Sequence, residues 1–347
     1  MENYDFNAGI ESSKDLAARG GHSYRVGNDT LRKLGEPVKQ KSNLPRGMFL
    51  SSYLDESGRC TFVNEDQVLE PWVTVAYTDE EHERWAQLFA RIETMVPDFA
   101  VKDVVDGFEW LRGLGAADRI PSLSEINPDI RKASGFELVP VMGLLPDDLF
   151  FKLLMESKFP VTLSIRRRDE IGYTPFPDIF HDLAGHGTMF LNDRFSEFVR
   201  KIGAFGWQFR GQRELQKLVA LLYWYTIEFG LKREANGKGP HLRVYGAGII
   251  SSCEETRASV AANCTPDDSR RPIIRLPFDL RRLLRSHYEF ERSQELYFVI
   301  DDYRQLTDLF DESFEETLVA LNRDMKSGRL SRIPQGRLLP EDRAIPV

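Results

Sequence analysis

The chain is poor in cysteine and has no long run of basic residues. It holds three cysteines in 347 residues, Cys60, Cys253 and Cys264, and none of them falls in a C-x-x-C spacing. Three such cysteines exclude a disulfide framework and fit a reducing compartment. The formal net charge is −8, from 46 Lys and Arg against 54 Asp and Glu. An acidic chain without a basic run is not expected to bind nucleic acid non-specifically.

Long hydrophobic runs are also missing. The first residues, MENYDFNAGIESSKDL, lack the basic-then-apolar pattern of a signal peptide. The longest apolar stretch, near residues 218–227, has about half of the length that a transmembrane helix needs. We therefore expect a cytoplasmic protein without a membrane partner, present as a monomer or a small homo-oligomer.

The sequence does contain enough apolar material for a large core. Hydrophobic residues make up 41% and aromatic residues 11% of the chain, which argues against wholesale disorder. Residues 1–70 are mixed and polar, and we interpret them as an N-terminal extension or small module with two short strands at 47–53 and 60–63. Residues 71–325 then form the main domain. Residues 326–347, which include Gly, Pro and several basic residues, are expected to form a loosely held tail.

The main domain is predicted to be mostly helical. Thr78 and Glu81 form the capping-box pattern that opens a helix, and apolar residues at helical spacing follow up to Pro97. Strands are expected near residues 135–145 and 161–166. Helices are expected at 147–157, 178–186, 192–202, 212–235, 252–262 and 303–325. The predicted fold class is therefore mainly α with a few short strands.

Two of the six histidines, His181 and His186, lie five residues apart in PDIFHDLAGHGTMF. Neutral imidazole is the commonest metal ligand, so a close pair suggests a metal site. On an ideal α-helix five residues rotate the second ring by about 140° away from the first. Both rings could still reach one ion if the helix breaks at Gly185. The alternative is that both histidines are ordinary polar residues.

A third candidate ligand lies in the most apolar predicted helix. Residues 218–229, LVALLYWYTIEF, are hydrophobic around nearly the whole helix, which indicates burial, and they include Glu228. A buried carboxylate needs an Arg or Lys partner, or a cation. Two His and one carboxylate form the set that non-haem Fe(II) enzymes use, and zinc accepts the same ligand types.

Two further segments have the features of a binding pocket. Arg166 ends an apolar strand, where its planar guanidinium could bind a carboxylate through two hydrogen bonds; it could equally be a charged strand end. The stretch 173–180, YTPFPDIF, is stiffened by two prolines and suits either a pocket wall or a loop that covers the core.

Taken together, these residues resemble the pterin-dependent aromatic amino acid hydroxylases. The matching motifs are GFELVPVMGLL, YTPFPDIFHDLAGH, YWYTIEFGL, VYGAGIISS and ELYFV, in the family's order, and the resemblance covers roughly residues 77–299. It implies a mainly helical catalytic domain that uses Fe(II), a tetrahydropterin and O₂. The implied reaction is ring hydroxylation of an aromatic amino acid, first of all L-phenylalanine to tyrosine. Tryptophan, tyrosine or the meta carbon of phenylalanine are the alternatives.

The resemblance also implies roles for individual residues. His181, His186 and Glu228 would hold the iron, and Arg166 would bind the substrate carboxylate. Phe150 would stack on the pterin ring. The pterin site would comprise Gly143, Leu145, Phe150, Asp182, Ala220 and Tyr223. The amino acid site would further comprise Tyr173, Thr174, Pro177, Trp224, Phe229, Gly248, Ser251 and Phe290.

Several positions depart from the family's usual pattern. Asp182 stands where the animal members have Glu, and in this it is similar to the bacterial members. Gly187 and Thr188 replace the usual Val-Pro after the second histidine, which is expected to loosen the chain there. Phe290 occupies a position of the substrate pocket that normally holds a smaller side chain, so it could change the substrate or the ring carbon that is hydroxylated.

Two other functional classes compete with this interpretation. A zinc hydrolase could use the same three ligands, but the HExxH spacing is missing and no general-base Glu follows His181. A non-catalytic binding protein on the same fold would have no need of an intact ligand set.

Overall fold

The computed structural model describes residues 77–141, 145–166, 168, 171, 177–235, 240–261, 273–288 and 294–345. Four residues that the sequence analysis assigns to the site lie outside these ranges: Gly143, Tyr173, Thr174 and Phe290. The N-terminal module predicted for residues 1–70, with its two strands, also lies outside the described residues.

Helices dominate the described part of the chain, as predicted. The α-helices are α1 (Asp79–Glu93), α2 (Val96–Phe99), α3 (Lys102–Gly113), α4 (Leu123–Ser134), α5 (Asp147–Met155), α6 (Asp193–Gln208), α7 (Arg213–Tyr223), α8 (Ala247–Ile250), α9 (Cys253–Val260), α10 (Leu280–Arg285), α11 (Arg304–Thr307) and α12 (Glu312–Lys326). Two further segments are π-helical, π1 (His181–Gly187) and π2 (Trp224–Glu228).

Within the described ranges, the strands form two small sheets. In the first, β1 (Glu137–Val141) and β2 (Lys158–Thr162) pair in parallel. The second contains β3 (Leu231–Ala235), β4 (Pro240–Val244), β5 (Ile274–Pro277) and β6 (Leu296–Ile300), in the order β4-β3-β6-β5. Only the β3–β4 pair among these is antiparallel.

Capping residues explain where several helices begin. The Thr78 hydroxyl accepts the Glu81 N–H and the Glu81 carboxylate accepts the Thr78 N–H, so the predicted capping box is confirmed. Ser122 and Glu125 repeat the same box at α4. Each box supplies partners for N–H groups that the first helical turn leaves unpaired.

The strand predicted over residues 161–166 ends early, at Thr162. Main-chain N–H groups here bond to side chains instead of to a neighbouring strand. The Thr162 N–H donates to the Asp182 carboxylate at 2.6 Å, and the Arg166 N–H donates to Asp178 at 2.8 Å. The prediction is therefore wrong beyond Thr162, because two buried carboxylates compete with strand pairing.

The helix predicted over residues 212–235 is also too long. It ends at Glu228, and the chain then turns into β3. A Cβ at Gly230 would overlap the Tyr245 ring, and the Gly230 carbonyl accepts the N–H groups of Tyr245 and Gly246. This close approach starts the pairing of β3 with β4 and terminates the helix.

The core is built around α6 and α7. Small residues let α6 lie close to α5, since a Cβ at Gly206 would overlap the Phe151 ring. On the other side of the core, Trp85 is fully buried with its ring edge-on to Phe180 at 5.2 Å. This packing fixes α7 and the segment around Phe180, from which the candidate ligands project.

Residues 333–345, here called the docked segment, are attached to the body of the protein. Ile333 forms a parallel bridge with Ser286. The Ile333 N–H donates to the Arg285 carbonyl at 2.7 Å, and the Ile333 carbonyl accepts the His287 N–H at 2.8 Å. The expectation of a loosely held tail is therefore wrong for this part of the chain.

Buried polar contacts add to this attachment. Gln335 is 3% exposed; its side chain accepts the Glu295 N–H and donates to Gln294. Arg282 binds Asp342 at 3.0 Å, with side chains 7% and 5% exposed. The prediction of a loose tail came from polar composition, but two of these polar residues, Gln335 and Asp342, anchor the segment.

Within the described ranges, no helix has the length and hydrophobicity required to cross a membrane.

Breaking the buried ion pair of the docked segment should destabilise the protein. Asp342→Ala leaves the Arg282 guanidinium buried without its charge partner, and we expect the free energy of unfolding to fall by about 3 kcal/mol. Urea denaturation measures this change. The control is Asp301→Ala, because Asp301 is 61% exposed in its pair with Arg233 and should contribute less than about 1 kcal/mol. If Asp342→Ala and Asp301→Ala lower the free energy of unfolding equally, the Arg282–Asp342 pair does not stabilise the docked segment.

Candidate metal centre

The two histidines of the sequence motif lie on one face of π1. Hydrogen bonds in a π-helix run from residue i to residue i+5, which widens the turn and brings side chains five residues apart above one another. The ring centroids of His181 and His186 are 4.8 Å apart. The helix break expected at Gly185 is wrong, since Gly185 lies inside π1 and packs against Ala247.

Glu228 reaches the same point from π2, which continues α7. The Phe229 N–H donates to the Trp224 carbonyl, five residues earlier, at 2.9 Å. The same widening brings Tyr223 over Glu228, and the Tyr223 hydroxyl donates to Glu228 Oε1 at 2.9 Å. Two π-helical turns therefore bring together residues that regular α-helices would separate.

The three side chains converge in a buried place. His186 Nε2 lies 2.9 Å from Glu228 Oε1, and His181 Nε2 lies 3.5 Å from Oε2. One donor atom from each residue lies within 4.8 Å of the other two. Ligand atoms around one first-row ion, each about 2.1 Å from the metal, are separated by roughly 3–4 Å. The arrangement fits a single metal ion.

The charges of the cluster also suit a cation. Burial opposes ionisation of Glu228, but the imidazoles of His186 and His181 and the Tyr223 hydroxyl hold its pKa down at about 2. Burial lowers the pKa of His181 to about 4, so this ring is neutral at pH 7 and its lone pair can bind a metal. No Lys or Arg pairs with Glu228 among the residues that the structure describes. The Arg or Lys partner considered above is thus not found there.

The two histidines are held in different ways. The Nδ1 atom of His181 lies 3.1 Å from the Ser251 Oγ, the kind of contact that orients a metal-binding imidazole. The Nδ1 atom of His186 is buried and has no hydrogen-bond partner within the described ranges. The Phe159 ring packs on His186 instead, with 4.5 Å between centroids. Ser251, expected at the substrate site, therefore also contacts a candidate ligand.

Arg166 lies beside the cluster with its guanidinium paired. Its Nε and Nη2 donate to the two carboxylate oxygens of Asp178 at 2.9 Å each, and Nη1 donates to the Ser251 carbonyl. Burial would raise the pKa of Asp178, but the positive charge of Arg166 keeps it below its ordinary value. Asp178 also accepts the His181 N–H at 3.0 Å. In this structure Arg166 forms the expected pair of hydrogen bonds with the carboxylate of Asp178.

Asp182 follows the first histidine and faces β2. It is 4% exposed, and burial raises its pKa to about 7, although the nearby His186 imidazole and the hydrogen bond from the Thr162 N–H oppose the rise. The hydrogen bond from the Thr162 N–H to Asp182 links the end of β2 to π1.

The remaining described residues of the expected pterin site lie near Tyr223. The Phe150 ring is half-buried and stands edge-on to Tyr223, with 5.2 Å between centroids. Leu145 packs with Phe150 in a small apolar cluster beside β1. Ala220 is buried on α7, close before Tyr223 in the chain. The structure thus brings Phe150 and Tyr223 together on the Glu228 side of the cluster.

Trp224, Phe229 and Tyr288 form an aromatic wall next to Tyr223, whose ring centroid lies 6.0 Å from that of Trp224. The Trp224 and Tyr288 rings are stacked with 4.8 Å between centroids, and Phe229 lies 5.8 Å from Tyr288. Gly248 lies against this wall, because a Cβ there would come within 2.9 Å of Phe229. Pro177, by contrast, is exposed.

Sequence reasoning missed Asp178, Tyr288 and Phe159. Asp178 stands inside the histidine motif, so an acidic residue three positions before a candidate ligand was a usable signal. Tyr288 lies between α10 and β6 without a recognisable pattern, and Phe159 lies just before the strand predicted over residues 161–166. Their roles depend on packing between distant segments.

Comparison with known proteins agrees with this geometry. Residues 62–323 match the family model of the biopterin-dependent aromatic amino acid hydroxylases. The phenylalanine-4-hydroxylase of Chromobacterium violaceum is 38% identical over 232 residues, which cover 67% of this chain and 73% of that protein. The phenylalanine-4-hydroxylase of Pseudomonas aeruginosa is 36% identical over 238 residues, which cover 69% of this chain and 84% of that protein.

A solved structure shows the same fold. The crystal structure of Chromobacterium violaceum phenylalanine hydroxylase bound to cobalt matches with a TM-score of 0.69 and 32% identity, covering 82% of this chain and 95% of that one. The expected fold class, enzyme class and cofactors, namely non-haem iron, a tetrahydropterin and O₂, are confirmed. The chain belongs to the biopterin-dependent aromatic amino acid hydroxylases.

Proposed function

We propose that this protein hydroxylates L-phenylalanine to tyrosine with iron held by His181, His186 and Glu228. The observation that carries the proposal is the convergence of two imidazoles and one carboxylate at a buried point, with no Lys or Arg on Glu228 in the described part of the chain. Relatives named phenylalanine-4-hydroxylase at 35–38% identity support the choice of substrate.

The residues present suit iron in particular. Two imidazoles and one carboxylate are the ligand set of non-haem Fe(II) enzymes and would leave coordination positions of the ion open. When bound there, iron and the tetrahydropterin supply the redox chemistry that activates O₂. The protein's part is to position the reactants and to exclude water.

Arg166 is proposed to bind the carboxylate of the amino acid. Its guanidinium is held by Asp178, which also accepts the His181 N–H, so the cationic group has a fixed position relative to the first ligand. Trp224 and Phe229, with Tyr288 behind them, form the apolar surface against which the substrate ring would pack. One charged contact and one aromatic wall together would orient an aromatic amino acid.

The pterin is proposed to bind at Phe150, with Leu145, Asp182, Ala220 and Tyr223 around it. Phe150 is the half-buried ring of this group, so its face is the one available for stacking. Tyr223 joins this region to Glu228, because the phenol stays protonated and donates to the carboxylate.

Gly143, Tyr173, Thr174, Pro177, Gly248, Ser251 and Phe290 complete the proposed sites as assigned from the sequence. A cytoplasmic location, a monomeric or small homo-oligomeric state and the division at residues 70 and 325 stay predictions. A zinc hydrolase or a binding protein has no observation in its favour beyond the ligand types.

Removing one imidazole should abolish metal binding. We expect the purified protein to retain about one Fe(II) per chain after dialysis and His181→Ala to retain almost none, because the remaining two ligands bind weakly. Iron content by atomic absorption measures this. His241→Ala is the control, since His241 is exposed on β4. Full iron retention and turnover by His181→Ala would reject the ligand assignment.

The substrate is tested by product identification. The protein is incubated with Fe(II), a tetrahydropterin and either phenylalanine, tyrosine or tryptophan, and products are identified by mass and NMR. We expect tyrosine from phenylalanine as the main product. A meta-hydroxylated product, or faster turnover of tryptophan, would overturn the substrate proposal while leaving the chemistry intact. An iron-loaded protein that hydroxylates none of them would overturn the function.

Replacing Arg166 should weaken substrate binding selectively. Arg166→Lys keeps a charge beside Asp178 but loses the planar fork, so we expect the KM for phenylalanine to rise about tenfold and the KM for the pterin to change little. Steady-state kinetics with each reactant varied separates the two. Arg168→Lys is the control, because this side chain is 54% exposed. A selective rise in the pterin KM would contradict the role given to Arg166.

A further inference from the structure

The residue two positions after His186 is a buried threonine whose hydroxyl bonds to the main chain of π1. Thr188 has no exposed surface. Its Oγ1 lies 3.0 Å from the Ala184 carbonyl oxygen and 3.2 Å from that of Gly185. These are the two carbonyls immediately before the second candidate ligand. The loosening expected from Gly187 and Thr188 is therefore not found.

The end of π1 creates the need for such a donor. N–H groups in a π-helix reach back five residues, whereas the Phe190 N–H donates to the His186 carbonyl, four residues back, at 3.2 Å. Where the hydrogen bonds change from the five-residue spacing of a π-helix to the four-residue spacing of an α-helix, one main-chain carbonyl receives no main-chain N–H. A buried carbonyl without a donor is costly. The Thr188 hydroxyl lies beside the two carbonyls at which the change occurs.

Contact with α3 fixes the direction of the hydroxyl. A Cβ at Gly107 would overlap the Cβ of Thr188, so the two helices touch here without a gap. The Thr188 side chain is thereby held between α3 and π1. Its Oγ1 keeps facing Ala184 and Gly185.

His186 depends on this turn more than His181 does. The His181 ring is oriented by Ser251, but the Nδ1 of His186 has no hydrogen-bond partner in the described ranges. Apart from the contact of its Nε2 with Glu228, the position of the His186 ring therefore follows from the path of the main chain through π1 and from the Phe159 ring.

We propose that Thr188 is a positioning residue for His186, and that its hydroxyl sets the geometry of the metal centre by completing the hydrogen bonding of π1. The inference rests on the proposed function, since it takes His181, His186 and Glu228 as metal ligands. A similar contact occurs in π2, where the Thr226 hydroxyl donates to the Leu222 carbonyl.

The test compares metal binding by three variants, with Co(II) alone as the probe because its visible spectrum reports ligand geometry. Thr188→Val keeps the branched shape and loses the donor. We expect it to bind Co(II) about tenfold more weakly than the wild type, with shifted absorption bands. Thr188→Ser keeps the hydroxyl and should restore both affinity and spectrum. Thr307→Val is the matched control, because Thr307 is buried on α11 and donates to the carbonyl three residues earlier.

The outcomes separate the inference from the function. An unchanged Co(II) affinity and spectrum in Thr188→Val, even with lower thermal stability, would show a merely structural role and overturn the inference alone. The same holds if Thr188→Ser binds as weakly as Thr188→Val, or if Thr307→Val weakens binding equally. If Thr188→Val does not fold, the Co(II) spectrum of Thr188→Ser decides, and absorption bands shifted from those of the wild type would overturn the inference. A folded wild type that takes up no Co(II) would overturn the metal centre and the inference with it.

Discussion

The buried carboxylate of Glu228 is the constraint on which the rest of this structure depends. A carboxylate in an apolar helix is unstable unless something compensates its charge. Here the compensation comes from two imidazoles and a tyrosine hydroxyl. Both π-helical turns serve this cluster, one by aligning His181 with His186 and the other by aligning Tyr223 with Glu228. Helix α8 packs against both turns, and β2 and β6 each contact one of them.

Much of the fold follows from local sequence patterns, and the exceptions have physical causes. Apolar periodicity and the Thr78 capping box correctly placed α1, and the apolar helix around Glu228 was recognised as buried. The π-helical turns were not predictable, because an i to i+5 turn has no propensity signal and forms where tertiary packing requires it. An ideal α-helix would instead place His181 and His186 on different faces.

The site shows the same division between chemistry and geometry. Residue types and the family resemblance selected the candidate ligands and Arg166, and the structure brings all of them together. The partners of these residues come from packing. Asp178 binds the guanidinium that was expected to face a ligand, and Tyr288 joins the aromatic wall from a loop with no pattern of its own.

Composition wrongly predicted that the docked segment is loosely held, because a few residues such as Ile333 and Gln335 decide its attachment.

The docked segment has a consequence for the order of folding. Tyr288 follows directly after the backbone that bonds to Ile333, and Arg282 finds its charge partner 60 residues later in the chain. During synthesis the part of the protein that carries Tyr288 leaves the ribosome first and lacks these partners until the later residues arrive. The main-chain contact beside Tyr288 can thus form only after residue 333 has been synthesised, when all three candidate ligands are already present in the nascent chain.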